Sequence, residues 1–377
     1  MQGLGVSVRI LLGDCRSVMA EMEADSVDAI VTDPPYGIGF MGKGWDHGVP
    51  GVEFWQAALR VVKPGAHLLA FGGTRTFHRL AVAIEDAGWG IRDQIGWCFG
   101  SGFPKSHNGP WGGTALKPAW EPICVARAPL IGTVEQNWRK HGTGALNNDA
   151  CRVEIDPEID DPRLGGKGDW SSDKMAKNVY EGGYAGERVG SSPLGRWPAN
   201  LIHDGSEEVL AAFPEAPGQQ RSVGPEHGEK ASVNAFGDYG ARDTFNPRGD
   251  AGSAARFFYC AKADRQDRND GLRGRKKKPL NWSSGTQSPG TFQAEGTDRT
   301  SENHHPTVKP TDLMRYLCRL VTPKGGTVLD PFMGSGSTLK AAEIEGFSAI
   351  GIDIDAEYCE IARRRIASDI PLFAEVA

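Results

Sequence analysis

The sequence predicts an α/β protein: a doubly wound, mostly parallel sheet carrying a loop-rich insertion. Short apolar runs alternate with amphipathic segments over two stretches, the pattern of strands that cross over through helices. These stretches lie at opposite ends of the 377-residue chain. Between them, from about residue 130 to 303, apolar periodicity gives way to Gly, Pro, Asn, Asp and Ser, and a structureless loop of that length does not fit inside one compact core. The organisation expected is one half-domain over 1–129, an insertion over 130–255 and a second half-domain over 256–377, with 272–303 a candidate for disorder.

In the first stretch VSVRILLGD reads as a strand, CRSVMAEM as a helix and VDAIVTD as a strand. VEFWQAALRVV reads as a helix stopped by Lys63-Pro64-Gly65, AHLLAFGG as a strand and FHRLAVAIEDAG as a helix. GIRDQIGWCFG and EPICVARA follow as strands. In the second stretch TDLMRYLCRLV reads as a helix stopped at Thr322-Pro323, GTVLD as a strand, STLKAAEIEG as a helix, FSAIGIDID as a strand and EYCEIARRRIA as a helix. Within the insertion only WPANLIH and ARFFYCAKA look like strands.

The charge balance, 42 Lys and Arg against 48 Asp and Glu, leaves a formal net charge of -6 and excludes a global basic signature. A polyanionic partner must be held by a local patch. Cys15, Cys98, Cys124, Cys151, Cys260, Cys318 and Cys359 form no C-x-x-C pair, which argues against a zinc site and a disulfide framework. The adjacent His304 and His305 have no third ligand at metal spacing, so no metal is expected. No apolar stretch approaches membrane-spanning length, and a soluble cytoplasmic chain without a membrane partner is expected.

Near the C-terminus, TVLDPFMGSGSTLKAAEIEGFSAIGIDID sets Gly334 and Gly336 between an apolar strand and a helix that begins near Ser337. Glycine there lets the backbone approach a ligand closely, and free N–H groups at a helix start can hold a carboxylate. Ser337 or Thr338 is placed to cap that helix. Asp353, at the end of the next strand, is placed to accept hydrogen bonds from ribose hydroxyls. The combination describes a nucleoside-containing cofactor, although many glycine turns serve packing alone. A nicotinamide fingerprint would need glycine or alanine where Leu339 stands.

The run Thr32-Asp33-Pro34-Pro35-Tyr36-Gly37 follows a strand. Each proline fixes its own φ and restricts the residue before it, so Asp33 is held in one orientation beside carbonyls that lack a local donor. A carboxylate and a rigid carbonyl a short distance apart suit a planar amino group. Gripping both N–H bonds favours a pyramidal nitrogen with an available lone pair. Tyr36 can stack on the ring that carries the amine. A stiff turn whose tyrosine packs on the core would use the same residues.

DPPY at 33–36 and DPFMGSGST at 330–338 resemble the two signature motifs of S-adenosylmethionine-dependent DNA amino-methyltransferases. HPTVKP at 305–310 resembles the segment before the cofactor loop in those enzymes, and the order is that of the β class. The resemblance implies a Rossmann-like methyltransferase fold with circularly permuted motifs. It assigns Asp33, Pro34, Pro35 and Tyr36 to the target base. Asp330, Phe332, Gly334 and Gly336 would line the methionine end of S-adenosylmethionine, with Asp33, Ser337 and Thr338 beside it and Asp353 on the ribose. Asp14 would lie near the cofactor's adenine amine, a role that can coexist with capping the helix at Cys15, and Thr307 and Lys309 would sit at the methionine tail.

An aspartate opening the first motif leans the resemblance towards adenine N6; cytosine N4 and a catalytically silent DNA-binding module are the alternatives. Cytosine C5 chemistry would need a cysteine in a comparable proline-flanked loop, and the sequence has none. Double-stranded DNA is the implied partner, with a homodimer and a cognate restriction enzyme as further candidates, in a bacterial cell or a phage-infected host. For DNA contact, LRGRKKKP supplies Arg273, Arg275, Lys276, Lys277 and Lys278 as a phosphate tether. Trp111, Trp120, Trp138, Trp197 and Trp282 are candidates to stack or wedge.

Overall fold

Val27–Thr32 is buried at every position, as a parallel strand covered on both faces must be. The computed structural model describes residues 6–39, 46, 48–102, 109–156, 195–216, 232–234, 237–239, 251–262, 267–279, 300–305 and 307–368. In chain order the elements are β1 (Val8–Leu12), α1 (Cys15–Glu21), β2 (Val27–Thr32), α2 (Val52–Val61), β3 (Val62–Phe71), α3 (Phe77–Asp86), β4 (Gly90–Cys98), β5 (Trp120–Arg127) and α4 (Val134–His141). They continue with β6 (Leu201–His203), α5 (Glu207–Leu210), β7 (Ser232–Asn234), β8 (Gly237–Tyr239), β9 (Tyr259–Cys260), β10 (Lys278–Pro279) and β11 (Thr300–Ser301). The last are α6 (Thr311–Val321), β12 (Thr327–Asp330), α7 (Ser337–Ile344), β13 (Ser348–Asp353) and α8 (Ala356–Ala367).

The chain divides into two compact units. The first comprises residues 1–151, 200–206 and 260–377; the second comprises 152–199 and 207–259. In the nine-stranded sheet the order is β1-β13-β12-β2-β3-β5-β4-β6-β9. Pairing is parallel from β1 through to β3, antiparallel at β3/β5 and β5/β4, and parallel again at β4/β6. The doubly wound, mostly parallel α/β sheet expected from the sequence is therefore the fold.

The register carries the consequence for function. Val328 lies opposite Ala29 and Leu329 opposite Ile30, so β12 from one end of the chain runs beside β2 from the other. From β12 the chain crosses over to β13 on one side, and from β2 to β3 on the other. That reversal makes a topological switch point at the carboxyl ends of the two strands, the place where open α/β sheets bind ligands. Beneath it Ile30, Leu68, Leu329 and Ile352 pack with Trp55, Leu80, Ile84 and Trp89 in one apolar cluster.

Several elements differ from the sequence reading. Lys63-Pro64-Gly65 does not open a loop: α2 ends at Val61 and β3 starts at Val62, running through the proline to Phe71. The Pro64 carbonyl accepts from the Asn137 amide at 2.9 Å. Helix α4 lies where no periodicity was read, because it is polar and buries one residue, Asn137. Its boundary signals were present: Thr133 and Gln136 form a capping box, and Gly142 ends it in the left-handed region at φ 77°. Ala254–Phe257 is a 3-10 turn rather than a strand; Phe258 is extended, and Tyr259–Cys260 is the strand of that island. Part of the segment considered for disorder is packed: Leu272 is buried with Tyr358 and Ile361, and Lys278–Pro279 pairs with Thr300–Ser301. Residues 280–299 lie outside the described residues. In the second unit β7 and β8 form an antiparallel pair, and the ring centroids of Phe213 and Phe258 are 5.4 Å apart. Among the described residues no helix is long and apolar enough to cross a membrane.

Candidate active site

The loops after β2 and β12 are joined by one buried carboxyl. Thr32 donates its hydroxyl to Asp330 Oδ1 at 2.6 Å, across 298 positions of sequence. Thr338 donates to Oδ2 at 2.6 Å, and the Phe332 N–H donates to Oδ1 at 3.1 Å. Burial pushes the Asp330 carboxyl up to about 6, against those three hydrogen bonds and with the Asp33 carboxylate adding to the rise. Its oxygens are engaged inside the protein, so Asp330 acts here as the fastener between the two loops.

Past Thr32, Pro34 is buried and Pro35 half-buried. Asp33 is held from both sides: the Tyr36 hydroxyl donates to Oδ1 at 2.8 Å, and the Lys309 ammonium sits 2.9 Å from Oδ2. Lys309 also lies 3.1 Å from Glu121 Oε2 and donates to the Tyr36 hydroxyl at 3.1 Å. Burial disfavours the ammonium, but the carboxylates of Asp33 and Glu121 outweigh it and hold Lys309 above its ordinary value. Burial, with the same two carboxylates, raises the Tyr36 phenol well above its ordinary value. Behind the loop the Tyr36 carbonyl accepts from Thr76 at 2.6 Å, and Asp46 accepts from the Gly37 N–H at 2.7 Å. The sequence reading set Lys309 at a methionine tail; here its ammonium lies on Asp33. Glu121 was not singled out at all. The available signal was a carboxylate at the start of an otherwise apolar strand, WEPICVAR.

The glycine loop adopts torsions that demand glycine. Gly334 has φ 51° and Gly336 φ 79°; a Cβ on Gly334 would lie 2.5 Å from His305 Nε2, and one on Gly336 2.7 Å from the Ala362 Cβ. Gly336 itself is the N-cap of α7, with no side-chain cap. The cap expected from Ser337 or Thr338 is thus replaced: Thr338 bonds Asp330, and Ser337 accepts from Arg365 at 3.1 Å. Arg365, fully buried and unread in the sequence, also donates to the Ser335 carbonyl at 2.8 Å, supporting the loop from behind. Phe332 turns its ring towards Phe54 and Trp55, with centroids 5.9 and 6.2 Å away. The Thr307 carbonyl lies 2.6 Å from His305 Nδ1, and burial holds that imidazole down at about 4, so it is neutral with Nδ1–H donating.

Asp353 closes the other side. Its Oδ2 accepts from the Gly334 N–H at 2.9 Å and its Oδ1 from the Asp355 N–H at 2.8 Å. Leu12 pairs with Asp353, and the Gly13 N–H donates to the Asp353 carbonyl at 2.9 Å, so Asp14 and Asp353 leave neighbouring strand ends. Asp14 caps α1 by accepting from the Arg16 N–H at 2.9 Å, and its carboxylate meets the Arg16 guanidinium at 2.8 Å. Two carboxylates at adjacent strand ends are acceptors that fit the ribose hydroxyls and adenine amine of S-adenosylmethionine, beside a glycine turn closely packed on His305 and Ala362.

Residues 27–364 match the family described as DNA methylase, the N6/N4 amino-methyltransferases. The chain belongs to that family. Among similar proteins, the type II methyltransferase M2.DpnII of Streptococcus pneumoniae is 43% identical over 65 residues, 17% of this chain and 24% of that protein. M.HpaI of Haemophilus parainfluenzae is 39% identical over 72 residues, 19% of this chain and 23% of that one. The DNA adenine methyltransferase YhdJ of Escherichia coli is 40% identical over 63 residues, 17% and 21%. The chain thus spans about a quarter or less of the length of these relatives. The solved PvuII DNA methyltransferase, cytosine-N4-specific, superposes with a TM-score of 0.47 at 13% identity over 98% of this chain and 89% of that one.

Part of the basic run is paired with an acid of the same chain. Arg275 and Lys278 lie 2.8 and 2.6 Å from Glu357 on α8, so the two cations share one carboxylate. Arg273, Lys276 and Lys277 are exposed. Of the tryptophans, Trp111, Trp120, Trp138 and Trp197 are exposed, and Trp282 lies outside the described residues.

Cofactor binding is expected to weaken as pH falls through about 6, because burial, against the N–H bonds of Asp355 and Gly334, raises the Asp353 carboxyl to about 6. Below that value the carboxylate that the resemblance assigns to the ribose is protonated. Calorimetry between pH 5 and 8 is expected to give up to about tenfold loss per pH unit on the acid side, and Asp353→Asn a flat profile. A wild-type profile equally flat would contradict the assignment.

Proposed function

We propose that this protein is a site-specific DNA methyltransferase that moves a methyl group from S-adenosylmethionine to the exocyclic N6 of adenine in duplex DNA, with the target base turned out of the stack. The observation that carries this reading is the pairing of β2 with β12, which brings the Asp33 loop and the glycine loop to one sheet edge with Thr32 and Asp330 2.6 Å apart. When bound, the cofactor supplies an electrophilic methyl group on a sulfonium. In this reading Asp33 accepts one amine N–H and the proline-locked carbonyl the other, which exposes the nitrogen lone pair. Tyr36 stacks on the flipped base, a contact worth roughly 1–3 kcal/mol. Asp353 takes the ribose, Asp14 lies beside the cofactor's adenine amine, and the glycine loop with Thr307 receives the methionine end.

Carbon methylation by a cysteine nucleophile is disfavoured because the loop after β2 holds no cysteine. Adenine is preferred over cytosine because the first motif opens with Asp33, as the resemblance associates with adenine enzymes. Labelled S-adenosylmethionine with mixed-sequence DNA, followed by nucleoside analysis, is expected to yield N6-methyladenine. Label found only in N4-methylcytosine would replace adenine with cytosine; no label in DNA would end the reading.

The exposed Arg273, Lys276 and Lys277 are proposed as the phosphate tether. Replacing the three with alanine is expected to reduce the slope of log affinity against log salt by about 2 to 3. An unchanged slope would remove them from the interface.

A further inference from the structure

Lys309 is buried, its side chain 7% exposed, with acceptors for all three of its ammonium protons. They are Asp33 Oδ2 at 2.9 Å, Glu121 Oε2 at 3.1 Å and the Tyr36 hydroxyl at 3.1 Å. Tyr36 in turn donates to Asp33 Oδ1 at 2.8 Å. Both oxygens of Asp33 therefore have partners in the chain before any base arrives, and an incoming amine N–H competes with the Lys309 ammonium, which draws charge from Oδ2 and weakens it as an acceptor.

A buried ammonium parted from its carboxylate is strongly destabilised. Lys309 has a second carboxylate, contributed by β5. The face of Phe71, its centroid 4.7 Å from the ammonium, adds further attraction. The other titratable groups facing Lys309 are Asp33 and Tyr36 from the loop after β2; on its own segment His305 is neutral. Two carboxylates and one ammonium leave a net negative charge where the amine nitrogen becomes positive during transfer.

We propose that Glu121 is a positioning residue: it retains Lys309 as a counter-ion so that Asp33 Oδ2 is released to the target amine. This rests on the reading of Asp33 given above. It explains why a carboxylate stands at the start of a strand whose following residues, Pro122 to Ala126, are buried.

Glu121→Gln keeps the shape and one acceptor but removes the charge, leaving Lys309 to hold Asp33 alone. With S-adenosylmethionine and DNA as probes at pH 8, the single-turnover rate is expected to fall tenfold or more, while the cofactor Kd stays within threefold of wild type. Glu121→Gln combined with Lys309→Met is expected to transfer faster than Glu121→Gln, since no ammonium then competes for Asp33. A purely structural role for Glu121 predicts no such rescue. A rate within twofold of wild type overturns the proposal, as does a double variant no faster than the single one. Should Glu121→Gln not fold, Glu121→Met, similar in volume, carries the same expectations. Lysine side-chain NMR of the DNA-free proteins separates this inference from the functional reading: the Lys309 titration is expected to move down by one pH unit or more in the variant. Were the wild type to methylate no DNA, the functional reading fails, and an unmoved Lys309 midpoint would independently overturn the pairing with Glu121.

Discussion

Replacing Asp33 with alanine is expected to lower methyl transfer by about 10²–10³-fold while the cofactor Kd stays within a few-fold of wild type. The proline pair sets Asp33 before the base arrives, so the substitution removes an oriented acceptor whose value is greatest as the nitrogen gains charge. Cofactor binding is expected to survive because the groups assigned to the ribose and the methionine end sit on β13 and the glycine loop, which Asp33 does not support. Lys309 keeps Glu121 and the Tyr36 hydroxyl as partners in the variant, so its charge is not orphaned. Single-turnover transfer and calorimetry on one preparation check both halves. Transfer within threefold of wild type would remove Asp33 from the chemistry.

The largest stability effect is expected at Asp330. Alanine there strands the hydroxyls of Thr32 and Thr338 and the Phe332 N–H in a buried site. Each unsatisfied group costs about 1–3 kcal/mol, and partial relaxation brings the net loss to about 2–4 kcal/mol. The sign of its pH dependence follows from the raised carboxyl. The folded value of about 6 lies above the ordinary 3.8, so between them the native state binds the proton more tightly than the unfolded chain. The stabilisation from Asp330 is therefore full below that window and declines as pH rises through about 6. Denaturant unfolding is expected to show a larger gap between wild type and Asp330→Ala at pH 5 than at pH 8. A gap below about 1 kcal/mol at both would show that the two loops do not depend on this carboxyl.

Much of the fold was legible because burial leaves a local trace. VDAIVT is apolar along most of its length, and a strand covered on both faces needs that; TDLMRYLCRLV repeats its apolar residues at helical spacing, and seven of its residues are buried. Where burial was not the cause, the reading failed. Helix α4 is held by its capping box and by Asn137, whose amide reaches the Pro64 and Thr143 carbonyls, so it has no apolar stripe to read. Pro64 was taken as a stop, yet the backbone continues as a strand, its free carbonyl met by those same polar groups. The capping expected of Ser337 and Thr338 assumed that a hydroxyl at a helix start serves its own backbone. Asp330 and Arg365 claim those hydroxyls instead, and neither partner is close in sequence.

By itself the sequence determined the rigid parts: a carboxylate locked by two prolines, a glycine turn that tolerates no Cβ, and acids at the ends of strands. These are short-range properties, set by torsional restriction and by the alternation of apolar residues. That the turn and the carboxylate follow neighbouring strand ends was decided only by the tertiary structure, through the parallel register of Val328 with Ala29 and Leu329 with Ile30. The same holds for Glu121, Lys309 and Asp33, which come from three separate segments and form one charge cluster. No local signal records such contacts, because the free energy that favours them comes from burying the intervening strands together and from the low dielectric that results.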